Sequence, residues 1–237
     1  MIFFTDITTN ASNYCLLNIK RYHDKRKAHK ILCFIDPSVY ELKDRGEFSK
    51  ITDLHALAQG GLLPNEYLSI DYPCDMNEAL SEEFIAKSNA NNLRYADNLQ
   101  YICTVQSKFQ DFLDFRLNWE YLENEIIFMD KIIGIGNLCR IMRPNAFTEN
   151  VIQYIIDHTS AGQWVHFYGL SLALMRRYIP MLEENGLIIS VDSTKWTKAV
   201  NNTLKLAHGV CARKDTRDLF FLEYIKKIEE FAAEVVY

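Results

Sequence analysis

Residues 164–192 read WVHFYGLSLALMRRYIPMLEENGLIISVD. An apolar run, Trp164 to Tyr168, meets Gly169. A segment of helical period from Ser171 to about Asn185 stops at Asn185-Gly186. A second apolar run, Leu187 to Val191, meets Asp192. Short apolar runs bounded by turn signals have the pattern of strands buried on both faces, and two of them joined by a helix form the unit of a parallel sheet. The unit recurs outward from here. Met1 to Thr5 runs into Asp6, Ile31 to Ile35 into Asp36, and Tyr67 to Ile70 into Asp71. Tyr101 to Val105 runs into Gln106, and Ile132-Ile133 into Gly134-Ile135-Gly136. Helical stretches are expected at about 9–29, 49–59, 77–91, 109–122 and 148–158, with a closing helix at about 216–235. The poorly patterned run at about 204–212 is the candidate for an eighth strand. Alternation of this kind predicts a TIM-like (β/α)8 barrel of parallel strands. An open doubly wound sheet is the alternative and would also place a ligand at the C-terminal strand ends. The barrel is preferred because polar strand ends recur along the whole chain and not at one crossover.

A chain of 237 residues suits one such domain, spanning 1–237, and 49% hydrophobic residues suffice for a large core. The net charge of −5 withholds the simple argument for non-specific phosphate binding. One basic run, Lys20 to Lys30, reads as the solvated end of the first helix, with a phosphate-binding patch as the minority reading. The six cysteines are scattered, with no zinc-knuckle spacing; Cys33 and Cys103 lie inside apolar runs and read as core thiols of a reducing compartment. No stretch has the apolar length of a membrane span, and the start lacks a signal-peptide pattern, so a cytoplasmic protein is expected.

Asp36, Asp71 and Asp192 stand at three strand ends. A single such Asp is usually a cap or turn former. Three on one face point to chemistry, either acid/base and nucleophilic work at a glycosidic bond or a metal site. Gln106 tips the balance away from a metal, because a neutral amide suits the edge of a heterocycle. Gly134-Ile135-Gly136 is too short for a dinucleotide fingerprint; it reads as a tight turn or as backbone left open to a flat ligand. His166 reads as a satisfied core histidine, Tyr168 and Trp196 as core or site-lining rings, and Arg140 and Arg143 as surface charges or phosphate contacts.

The ordered strand ends resemble the tRNA-guanine transglycosylase superfamily, closest to the short phage, viral and archaeal members linked to 7-deazapurine modification of DNA. The resemblance covers about Ile31 to Trp196. Phe34-Ile35-Asp36-Pro37-Ser38 stands where that family has an Asp-Ser-Gly-Gly-Phe-like motif. Ser69-Ile70-Asp71-Tyr72-Pro73 is similar to its second Asp motif, Thr104-Val105-Gln106 to its Val-Gln motif, and Ile133 to Asn137 to its Gly-Ile-Gly-Gly stretch. His166-Phe167-Tyr168-Gly169-Leu170 is similar to a His-x-x-Gly stretch, and Ser190-Val191-Asp192-Ser193 to the segment of the nucleophilic Asp. The resemblance implies that Asp192 attacks C1′ and that Asp36 is the general acid/base. It implies that Asp71, Gln106, Gly134 and Gly136 read the base, with Ser38, Tyr168 and Gly169 lining its site. It implies no cofactor and no metal. The partners implied are nucleic acid, a 7-deazaguanine base such as the 7-cyano form, and a second copy or partner subunit. Three departures stand out: Pro37-Ser38 replaces Ser-Gly, Asn137 replaces a Gly, and the Cys-x-Cys-x-x-Cys zinc module of the tRNA enzymes is missing. The last favours DNA over tRNA. A hydrolytic nucleosidase or glycosidase and an inert subunit of a modification complex are the competing readings.

Overall fold

The apolar runs become strands. The computed structural model describes residues 1–6, 12–24, 27, 29–37, 48–74, 78–192 and 221–226. Eight strands are present among them: β1 Ile2–Asp6, β2 Tyr14–Asn18, β3 Leu32–Asp36, β4 Glu66–Leu68, β5 Cys103–Val105, β6 Ile132–Ile135, β7 Trp164–Phe167 and β8 Ile188–Asp192. Every pairing is parallel, in the order β4-β3-β2-β1-β8-β7-β6-β5. An isolated parallel bridge joins Leu68, at the end of β4, to Tyr101, just before β5. Five helices flank the strands: α1 Ile51–Ala56, α2 Ser81–Arg94, α3 Phe112–Glu125, α4 Ala146–His158 and α5 Leu172–Glu184. Residues 221–226 are also helical.

The helices begin and end where local chemistry satisfies their backbone. Asn145 and Thr148 form a reciprocal capping box at α4, and Ser171 accepts the Leu174 N–H at α5. Each strand offers one face to these helices. Ile133, Ile135, Val165, Phe167, Ile189 and Val191 pack with Trp119, Ile155 and Leu182 in the largest core cluster. The other face carries a separate cluster, Phe4, Phe34, Ile102 and Ile132, with Tyr67 and Trp164 against it. Phe34 on β3 touches Tyr67 on β4 and Trp164 on β7, and Tyr67 touches Trp164.

One expectation is corrected. The segment about 9–29 does not form a helix over its described part; Tyr14–Asn18 is a strand, followed by a short 3-10 turn, Ile19–Arg21. Burial alternates along Tyr14-Cys15-Leu16-Leu17-Asn18 with period two. Asn18 then ends the strand by accepting the Lys20 N–H. The five residues preceding the basic run carry no helical period, and the charges after them obscured the break. This strand takes the remaining place in the parallel order. The run 204–212, and all of 216–235 except 221–226, lie outside the described residues.

Candidate active site

Strand periodicity builds the site in two layers. On the face opposite the helices, residues two apart share a side. Phe34, Ser69, Thr104, Gly134, His166 and Ser190 form one layer. Asp36, Asp71, Gln106, Gly136, Tyr168 and Asp192 stand above it at the C-terminal strand ends.

The first half of the site is a directed hydrogen-bond chain that crosses both layers. The Thr104 hydroxyl lies 3.2 Å from the Tyr168 hydroxyl, which donates to Ser69 Oγ at 3.0 Å. Ser69 donates to Asp71 Oδ1 at 2.5 Å, and Gln106 Nε2 donates to Asp71 Oδ2 at 2.8 Å. Both oxygens of a buried carboxylate are thereby satisfied. Burial nevertheless raises the Asp71 pKa above the ordinary carboxyl value; the bonds from Ser69 and Gln106 and the nearby His166 oppose that rise. Tyr168 is held as a neutral donor, because burial and the adjacent Asp71 and Asp192 push its phenol well above the usual value. Gln106 Oε1 is buried without a hydrogen-bond partner.

The glycines make this packing feasible. A Cβ on Gly136 would fall inside the Gln106 carboxamide, and one on Gly134 would lie 2.7 Å from both Thr104 Oγ1 and Tyr168 Cε2. The open backbone expected for a flat ligand is thus occupied by Gln106 and Tyr168.

The second half is centred on Asp192, which is only 8% exposed. The Gly169 N–H donates to its Oδ1 at 2.8 Å; Gly169 has φ +63°, a conformation natural to glycine, and a Cβ there would crowd Cys139. His166 Nε2 stands 3.6 Å from the same oxygen. Fully buried His166 packs its ring on Phe34 and Tyr168 and so joins the two halves. Asp36 ends β3, half-buried, paired in register with Asn18. Ser38 and Trp196 lie outside the described residues.

Of the lower layer, Gly134 and His166 stand out in the sequence, whereas Ser69, Thr104 and Ser190 are hidden inside apolar runs. Ser69, Thr104, His166 and Ser190 each sit two residues before a strand-end residue, and this polar-x-polar spacing was visible in the sequence. Over its described residues the basic run is not an α-helix end, although Lys20, Arg21 and His23 are exposed as the solvated reading has it. Lys27 pairs with buried Glu66 at 2.6 Å and Lys30 Nζ donates to Ser12 O, so two of its lysines are pinned internally. Arg140 lies over the Phe109 ring. An open cleft of about 530 Å³ lies beside the Gln106 end, lined by Glu78, Ala79, Ser81, Glu82, Lys108 and Phe109, with Lys108 and Glu82 paired at 2.7 Å. Among the described residues no group of three or more His, Cys, Asp or Glu is placed to hold a metal, and no helix is long and apolar enough to cross a membrane.

No protein-family model, curated protein or solved structure matches the chain.

Proposed function

We propose that the chain is a base-exchanging transglycosylase on a closed eight-stranded barrel, replacing guanine in nucleic acid with a 7-deazaguanine through a covalent Asp192–sugar intermediate. The observation that carries it is the pairing, on one sheet face, of a nearly buried carboxylate tied by one oxygen with a buried Asp71–Gln106 pair one strand-end layer deep. Closure is supported by the Leu68–Tyr101 bridge between the two ends of the strand order, and by Phe34 and Tyr67 reaching Trp164. β3 and β7 are four places apart in that order, and an open sheet would not bring their side chains together.

In this reading Asp192 Oδ2 bonds to C1′ as the C1′–N9 bond breaks, through an oxocarbenium-like state that the carboxylate stabilises and then traps. Asp36 gives a proton to the departing base. The incoming base, deprotonated at N9 by Asp36, displaces Asp192, and two displacements retain the sugar configuration. Asp71 and Gln106 offer acceptors and an amide to the purine edge. The target base must leave its stack to be reached. DNA is taken in preference to tRNA on the resemblance of the strand-end motifs to the short DNA-modifying members.

Purified protein mixed with labelled guanine or 7-cyano-7-deazaguanine and either DNA or tRNA tests this. Label is expected in DNA, and Asp192→Ala is expected to abolish exchange. Label in tRNA alone would keep the chemistry and reverse the substrate. Release of free base without any incoming base would establish a hydrolase, and an unaffected Asp192→Ala rate would sink the assignment.

A further inference from the structure

Beneath Asp192 lies a second relay that the base-reading half does not use. The Trp164 indole N–H donates to Ser190 Oγ at 2.7 Å. An indole N–H has no acceptor capacity, so one Ser190 lone pair is taken and its own proton is free to turn elsewhere. The next polar atom is His166 Nδ1, 3.0 Å away. A neutral imidazole carries one donor and one acceptor nitrogen, and the partner of one nitrogen sets the role of the other. With Nδ1 accepting from Ser190, the ring proton resides on Nε2. That nitrogen has no hydrogen-bond partner among the described residues, yet it faces Asp192 Oδ1 at 3.6 Å, just outside bonding distance.

Among the described residues it has no other outlet. His166 is fully buried, its ring packed edge-on to Phe34, Phe4 and Tyr168 at centroid distances of 4.7, 5.7 and 4.6 Å. A buried N–H without an acceptor is unfavourable. A small rotation toward the carboxylate removes that penalty and forms a charge-assisted bond. Among the described residues, the two donors near Asp192, the Gly169 N–H and His166 Nε2, converge on Oδ1. Oδ2 is then the oxygen left to react.

We propose that His166 is a positioning residue for Asp192: through an Nε2 proton placed by Trp164 and Ser190, it fixes Oδ1 and presents Oδ2 to the anomeric carbon. The geometric part stands on the relay alone; the consequence for rate rests on the transglycosylase reading.

The experiment has two arms. In protein labelled with ¹⁵N-histidine, the His166 ring nitrogens are expected to show the proton on Nε2. Ser190→Ala is expected to weaken that preference. A wild-type ring with Nε2 unprotonated overturns the proposal. In the second arm the covalent protein–oligonucleotide adduct is timed for wild type, His166→Phe and His166→Gln. Loss of one donor to a reacting group typically lowers the rate by about 10²-fold, and that loss is expected for His166→Phe with KM for the base little changed. His166→Gln, which retains an N–H, is expected to recover at least part of it. Equal loss in both variants, or a change in KM alone, overturns the positioning role. Absence of adduct from every protein, wild type included, overturns the transglycosylase reading instead, and the nitrogen resonances then decide the relay by themselves.

Discussion

Asp71 shows how a single residue in this site trades stability for a charge. Its folded pKa is raised, mainly by burial, while an unfolded aspartate titrates near ~3.9. A raised folded value means that the stability this group contributes is full below that pH and is lost as pH rises through the folded value. Wherever the group ionises, the core therefore holds the carboxylate at a penalty. Asp71→Asn removes the charge, keeps an acceptor for Ser69, and offers an N–H to Gln106 Oε1 if that amide turns over. The variant is expected to melt above wild type at pH 7, by an amount equivalent to about 1 kcal/mol, and to lose the difference as the pH approaches 4. Thermal melts across that range check it; a constant difference would show that burial of charge is not the cause. Gly136→Ala acts at the same scale. Its methyl displaces the Gln106 carboxamide, and overpacking of this kind destabilises by about 1–3 kcal/mol. Chemical denaturation should show that loss, together with weaker retention of labelled guanine.

At the scale of elements, α2 performs a task usually left to strands. β4 and β5 are three residues each and meet only through the Leu68–Tyr101 bridge and the two backbone bonds around it. The backbone groups left over at this seam are taken by the polar face of α2. Asn92 donates to Thr104 O at 2.8 Å and accepts the Thr104 N–H at 3.1 Å. Asn91 donates to Ile70 O, and Ser88 accepts the Tyr72 N–H. Buried backbone groups must find partners, and here side chains supply them. Asn92→Ala leaves two buried groups of Thr104 unpaired and is expected to lower stability by about 2–4 kcal/mol, at roughly 1–2 kcal/mol for each. A urea titration of the variant measures this, with Asn118→Ala on the half-buried side of α3 as a control expected to change less.

Across the whole molecule, one ring ties distant strands together. Phe34 stacks on Phe4 at 3.9 Å and touches Tyr67, Trp164 and His166. It links β1, β3, β4 and β7 and forms the floor beneath the carboxylates. Truncating a fully packed Phe leaves a cavity and typically removes about 3–5 kcal/mol. Phe34→Ala is expected to reach that range. It should also disturb Trp164 fluorescence in the native state, since the indole loses its neighbour. A loss below about 1 kcal/mol, the size of a surface change, would mean that the two sides of the sheet do not share this core.

The sequence by itself determined seven of the eight strands, the helices from α1 to α5, and the face on which Asp36, Asp71, Gln106 and Asp192 stand, because the apolar runs, caps and glycine stops are local signals. β2 was not legible, since four apolar residues, Tyr14 to Leu17, closed by Asn18 and followed within two residues by a basic run, fit a helix end as well as a strand. The buried Asn and Ser face of α2 was also hidden, because polarity at helical spacing normally marks solvent. Only the tertiary structure decided these. It is the unpaired backbone at the β4–β5 seam that draws asparagines inward, and the closeness of Trp164, Ser190 and Asp192 that turns His166 from a core ring into a neighbour of the carboxylate. Such partners lie up to 99 residues apart in the chain, and no local pattern encodes their meeting.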